Sequence, residues 1–356
     1  MIQIWNNCIA ENEINNLLNA IANRQITEGS ILEKFQSRIA EMVGVKYAVG
    51  TSSGTAAITL SLMGAGIQPG DEVIVPDLTF IATANAAHIL GAKVIVAPVD
   101  YQKLTLDFAK VDDLITDKTK AIITVDFNGR ISCSKVITEK YNKMGIFLIT
   151  DACQAFMSQN EEGMAGTLSN AGCLSFGITK TLTTVQGGMV LTNDAEFHDR
   201  IRIMKTQGME SIFEGNYKYA GYNFKLPDLW ASIGVGQLKR INESINHMKK
   251  INSAYYDALS GKEGIDFLPR NEMEFIWMPE IVCKNRNKVR DVLQANNIMS
   301  RPLYEPLHTA DYLESPASYE GIYQIKNSLL ALPSGPDQPL ENVEKVIEVL
   351  KSNDLI

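Results

Sequence analysis

IFLITDACQAF, residues 146–156, holds an apolar run that ends on an acid and then turns polar and small. A run of this kind is a strand buried on both faces, with Asp151 at its carboxyl end. Open α/β sheets place ligand-contacting groups at that edge. Working outward, similar short runs recur at KYAVG (46–50), EVIVP (72–76), KVIVAPV (93–99), KAIITVDF (120–127) and GMVLTN (188–193). Helix-length segments separate them, which predicts a mostly parallel sheet with helices on both faces and right-handed crossovers. Asp151 has a second reading at this point, as a helix N-cap.

Before the first strand, residues 10–45 read as two amphipathic helices broken at ITEGS (26–30), where Gly and Ser favour a turn. A long helix over 229–260 links the sheet to a smaller α+β region. That region contains strand-like FIWMPEIV (275–282), the helix NRNKVRDVLQANN, the segment SRPLYEPLH (300–308) and a last helix from Glu341. A chain of 356 residues exceeds one comfortable core. Two domains are expected, 1–240 and 241–356.

Composition is that of a globular protein, 45% hydrophobic and 21% charged. A net charge of -8 argues against a nucleic-acid surface. The five cysteines are scattered, with no CxxC pair and no metal-ligand spacing, so reduced thiols and no metal are expected. No basic-then-apolar leader opens the chain, and no run of eighteen apolar residues occurs. A cytoplasmic protein with no membrane or nucleic-acid partner is the expectation.

Two further stretches carry chemistry. TSSGTAAITLSLMGAG (51–66) follows the first strand, and Ser53, Gly54 and Thr55 make a candidate phosphate cradle at a helix N-terminus. The same residues also suit an ordinary N-cap, and they form neither a GxGxxG loop nor a Walker motif. In CLSFGITKTLTTVQGGMVLTND (173–194), Lys180 lies between an apolar run and a Gly-Gly turn into a strand. Alone it reads as a solvated charge.

Taken together, GTSSGTAA, PGDEVIVPDLTFIATANA, TKAIITVDFNG, DACQA, SFGITKTLTT, GGMVLTND and GYNFKLPDLWASIGVGQL resemble the DegT-type sugar-nucleotide aminotransferases, from ITEGS to LPSGP (332–336). The resemblance implies the pyridoxal-phosphate (PLP) transferase fold, type I, with a seven-stranded sheet. It implies that Lys180 carries PLP as a Schiff base and shuttles the proton, and that Asp151 faces the pyridine nitrogen. By the same resemblance Gln154 lies near the phenolic oxygen, Gly54, Thr55 and Ser175 hold the phosphate, and Phe80 stacks on the ring. Asn223 is lent by the neighbouring subunit, which implies a homodimer with shared sites.

L-Glutamate is the implied donor and a nucleotide-linked 4-keto-6-deoxyhexose (GDP-, dTDP- or UDP-linked) the implied acceptor. KTQGM (205–209), FIWM (275–278) and SRPLYEPLH resemble the GDP-perosamine synthase branch. Arg301 and His308 are candidates for the sugar or diphosphate, with structural roles as their alternative, and Thr27 for the nucleotide border. Lys180 is retained where related 3-dehydratases carry His, which points to amination. Gln186, Lys225, Phe156 and Asp126 depart from the family's usual Glu, Arg, His and His. Two other readings remain at this point, a non-catalytic regulator on the same fold and a PLP enzyme acting on a small keto substrate.

Overall fold

The computed structural model describes residues 1–211, 215–313, 319–353 and 355. A short N-terminal segment leads into helices α1 (Glu11–Ala22) and α2 (Ser30–Val43). The large domain then alternates β1 (Tyr47–Thr51), α3 (Gly54–Gly64), β2 (Glu72–Pro76), α4 (Ala82–His88) and β3 (Lys93–Ala97). A small hairpin, β4 (Val99–Asp100) with β5 (Thr105–Leu106), and helix α5 (Phe108–Val111) follow. Next come β6 (Thr119–Val125), α6 (Lys135–Lys143), β7 (Phe147–Asp151), β8 (Ala171–Ser175), β9 (Gly188–Thr192) and α7 (Ala195–Met204).

Seven of these strands form one sheet in the order β1-β9-β8-β7-β6-β2-β3. Neighbours from β8 to β3 run parallel, and only β9 is reversed, pairing antiparallel with both β1 and β8. The mostly parallel sheet expected from the sequence is therefore present. β2 is buried along its whole length, as a strand covered on both faces requires. Strand β8 lacks the β-branched signature of its neighbours, and only its CLS end reads as an apolar run in sequence.

Helix α8 (Asp228–Leu259) packs on α1 and α2 at one end and on α11 (Leu340–Ser352) at the other. The 240/241 division falls inside this helix, which serves both halves. At its start the buried Asp228 carboxylate accepts from the amides of Gly29, Ile31 and Leu32 at 3.0, 3.3 and 2.8 Å, capping α2. ITEGS and LPDLW, nearly 200 residues apart in sequence, are thus two halves of one cap.

The C-terminal part holds β10 (Ile265–Asp266), β11 (Glu280–Cys283), α9 (Arg286–Ala295), β12 (Arg301–Pro302), α10 (Glu320–Ser328) and β13 (Leu329–Ala331). Its sheet has the order β10-β11-β13-β12. Its core joins Ile251, Tyr255 and Leu259 of α8 to Ile281, Leu330 and Val346. The strand expected over 275–282 is shorter, beginning only at Glu280. Phe275, Trp277 and Met278 spend their backbone N–H groups on Ser158 and Asn128 instead. Trp277 N donates to the Asn128 carbonyl at 3.2 Å, and Met278 N to the Asn128 side-chain oxygen at 2.8 Å. Among the described residues no helix is long and apolar enough to cross a membrane.

Candidate active site

The carboxyl ends of the parallel strands carry the site. Asp151, the last residue of β7, is buried, and its Oδ2 accepts from the Thr83 hydroxyl at 2.7 Å. Its Oδ1 accepts from the Cys153 amide at 3.1 Å. Those two donors fix the carboxylate's direction.

Beside it, the amides of Gly54 and Thr55 open helix α3, where first-turn N–H groups have no intrahelical acceptor. Ser53 Oγ caps the turn by accepting from Ala56 N at 3.1 Å, so the N-cap reading and the cradle reading of TSSGT hold together. Thr55 is exposed. Gly54 is required by close approach, because a Cβ there would meet Cys153 Sγ at 2.7 Å and Ser175 Cβ at 2.9 Å. Gly188, the first residue of β9, passes so close beneath the turn that a Cβ would lie 2.2 Å from the Ser53 carbonyl. Both motifs recognised in sequence, SSGT and GGMV, meet at this contact.

Lys180 follows β8 on a short loop and is half-buried. Burial of its ammonium pushes the Lys180 pKa down, and the nearby Arg301 guanidinium adds to the effect, while Cys153 and Asp151 oppose it. The chain therefore brings Lys180, Asp151 and Arg301 within electrostatic reach of one another. Burial, and then the Asp151 charge, push the Cys153 thiol well up, keeping it protonated. Lys180 Nζ stands 4.4 Å from the centre of the Trp277 ring. Gln154 is buried one turn beyond Asp151, and its Oε1 accepts from Asn128 N at 3.1 Å.

The C-terminal domain closes the pocket. Arg301 lies over the Tyr304 ring at 4.9 Å and the Trp277 ring at 5.4 Å. Burial raises the Tyr304 pKa. Tyr304 in turn packs near Phe80, with ring centres 5.7 Å apart, and Phe80 is 53% exposed. Glu280 and Arg301 both stand opposite Ala331 in adjacent strand pairs, so their side chains share one face of the small sheet. Glu280 forms a buried ion pair with Arg130 of the large domain.

The remaining candidates lie elsewhere. His308 is braced, with Nδ1 2.7 Å from Asp77 Oδ2 and Nε2 2.8 Å from the Tyr323 hydroxyl, so both ring nitrogens are engaged within the chain. Thr27 is exposed, and its carbonyl accepts from Asp228 N. Asn223 is exposed, next to Phe224, whose carbonyl accepts from Ser52 N. Phe156 is core, edge-on to Phe176. Asp126 is buried and accepts from Ser132 N, Ser132 Oγ and Gly166 N at 2.8, 2.7 and 2.9 Å. Sequence reading missed Trp277, Tyr304, Asn128 and Thr83 as parts of the site. Trp277 and Tyr304 stood inside quoted motifs, yet nothing in the local pattern tells that a segment 100 residues downstream folds back over Lys180.

The profile of the DegT/DnrJ/EryC1/StrS aminotransferase family matches residues 7–351, and the chain belongs to this family. Among relatives, GDP-perosamine synthase of Escherichia coli O157:H7 is 31% identical over 326 residues, covering 90% of each chain. The enzyme of the same name from Caulobacter vibrioides is 32% identical over 288 residues, 79% of this chain and 78% of that one. The crystal structure of the aminotransferase TlmJ from Streptoalloteichus hindustanus superposes with a TM-score of 0.92 at 26% identity, covering 99% of this chain and 98% of that one. The protein is an aminotransferase, and its cofactor is PLP. The residues fit that group. A phosphate needs free amides at a helix N-terminus, as at Gly54 and Thr55, and a pyridinium needs a buried, fixed carboxylate, as at Asp151.

Proposed function

We propose that this chain moves the amino group of L-glutamate onto the C4 ketone of a nucleotide-linked 6-deoxyhexose, with GDP the preferred nucleotide, through PLP held on Lys180. The observation that carries the reading is a Lys180 amine, its pKa lowered by burial, within electrostatic reach of the fixed Asp151 carboxylate. The two perosamine synthase relatives support the sugar class and the choice of GDP.

When bound, PLP supplies an electrophilic carbon and an electron-withdrawing ring. Gly54, Thr55 and Ser175 hold its phosphate, and Asp151 faces its ring nitrogen. Gln154, whose Oε1 is spent on Asn128, offers its amide NH2 to the phenolic oxygen. Phe80, with its ring half exposed, would stack on the cofactor ring. Lys180 Nζ takes the proton from the donor carbon and returns one to the acceptor carbon. Burial favours the free amine needed for the first transfer. Arg301 binds the anionic part of each substrate in turn, and Tyr304 orients its guanidinium. Thr27 borders the nucleotide. His308 stays with Asp77 and Tyr323 as a brace.

The functional unit is a homodimer in which Asn223 of one protomer reaches the phosphate of the other. The exposure of Asn223 supports this. Mixing inactive K180A and N223A protomers should then restore part of the activity, because one site of each mixed pair is intact. No recovery after confirmed exchange would leave each site self-sufficient.

The decisive assay gives purified protein, PLP and L-glutamate a choice of GDP-, dTDP- and UDP-linked 4-keto-6-deoxyhexoses, with mass spectrometry of the nucleotide sugars. An amino sugar formed first and fastest from the GDP substrate is expected. Turnover of simple keto acids with none of the three nucleotides accepted would overturn the substrate class.

A further inference from the structure

The loop that carries Lys180 is tied at two successive carbonyls by side chains from opposite ends of the chain. Trp277 Nε1 donates to the Thr179 carbonyl at 3.1 Å, and Asn7 Nδ2 donates to the Lys180 carbonyl at 3.1 Å. Trp277 is 3% exposed and packs on Trp5 with ring centres 5.6 Å apart, so its own place is set by the N-terminal segment. Its backbone is held by Asn128, one of the turn residues after β6. The same indole presents its π face to Lys180 Nζ at 4.4 Å.

We infer that Trp277 and Asn7 are positioning residues for Lys180: together they fix its backbone, and the Trp277 ring sets the stand-by position of its amine. The inference rests on the assignment of Lys180 as the reacting amine. Two long side chains could hold a flexible lysine equally well if packing alone mattered, but packing needs no indole N–H aimed at a carbonyl. The ring matters for a separate reason. During each half-reaction the Lys180 amine is free, and a four-carbon stem on a surface loop samples many rotamers. A contact between the Lys180 N–H groups and the ring face narrows them whether or not the amine is protonated. A misplacement of about 1 Å in a proton-transferring group costs on the order of 100-fold in rate.

Reductive 13C-methylation of the cofactor-free protein gives a readout independent of turnover. The Lys180 N-methyl signal, assigned by its loss in Lys180→Arg, should lie upfield of the other lysines through the indole ring current. Trp277→Phe should keep an upfield signal, since a ring remains, and Trp277→Leu should return it to the bulk lysine position. In the loaded enzyme Trp277→Leu should lower kcat by ~10- to 100-fold, leaving the KM for glutamate within about twofold. Trp277→Phe and Asn7→Ala, each losing one carbonyl tie, should fall between Trp277→Leu and the parent chain. An unshifted Lys180 signal in the parent chain, or a defect confined to KM, would overturn the inference. Borohydride reduction followed by peptide mapping separates the two claims. Cofactor attached elsewhere than Lys180 sinks the catalytic assignment, whereas the ring-current result stands or falls without it.

Discussion

The pocket has a floor and a wall, and they are built differently. The floor, made by the ends of the parallel strands, places Asp151, Gly54 and Ser175 on or beside regular elements whose positions follow from strand burial. The wall, made by Trp277, Arg301 and Tyr304, comes from irregular segments and two-residue strands that take their shape from what they touch. Floor residues are held by short backbone-linked bonds such as Cys153 N to Asp151 Oδ1 at 3.1 Å. Of the wall residues, Trp277 is tied by hydrogen bonds to Asn128 and Thr179, while Arg301 and Tyr304 make aromatic and cation–π contacts at 4.9–5.7 Å. On the proposed reading, reaction chemistry stands on the side built from regular elements, and substrate contact on the side built from irregular segments.

Substitutions can break or sharpen this contrast. Lys180→Ala should remove turnover by ~10^4-fold or more while the fold persists, read as single-turnover amination of the sugar nucleotide. Asp151→Asn should lower kcat by ~100- to 1000-fold, with near-parent affinity for the nucleotide sugar. A loss of equal size from Arg301 or Tyr304, the wall residues with no part in positioning Lys180, would blur the division.

Asp126 tests the floor's support. Its carboxyl is buried, and desolvation raises its pKa to about 6. Below the unfolded pKa both states hold the proton. As pH rises from about 4 to 6 the unfolded chain releases it first, so this residue withdraws up to about 3 kcal/mol of stability. Urea unfolding of Asp126→Asn should therefore show a flatter change between pH 4.5 and 7 than the parent chain. Identical pH slopes would mean that Asp126 ionises normally. The smallest effect is expected at the wall. Arg301→Ala should raise KM for the nucleotide sugar by ~10-fold and move kcat little, measured by initial rates at saturating glutamate.

The same division explains what the sequence told. Strands such as EVIVP and IFLITD announce themselves because a strand buried on both faces must be apolar throughout, and the site residues at their ends follow from that. Strand β8 was harder, since Ala171-Gly172-Cys173 has no β-branched residue. FIWMPEIV looked like one strand because its apolar residues fit any buried extended segment. Which backbone bonds they make depended on Asn128, some 150 residues upstream. His308 reads in sequence as either a substrate contact or a structural residue, and its partners Asp77 and Tyr323 are visible only once distant segments meet. Long-range contact, with no local pattern, separates the legible residues from the rest.

The alignment of Glu280 and Arg301 on either side of Ala331 makes the charge layout of the wall a matter of strand parity. Sliding β12 by a single residue would carry the guanidinium to the far side of the sheet, whereas a shift of two would restore its facing. The segment between β11 and β12 can therefore lengthen or shorten within α9 and its turns, but a change that reaches the ladder must come in even steps to keep Arg301 on the face that carries Glu280.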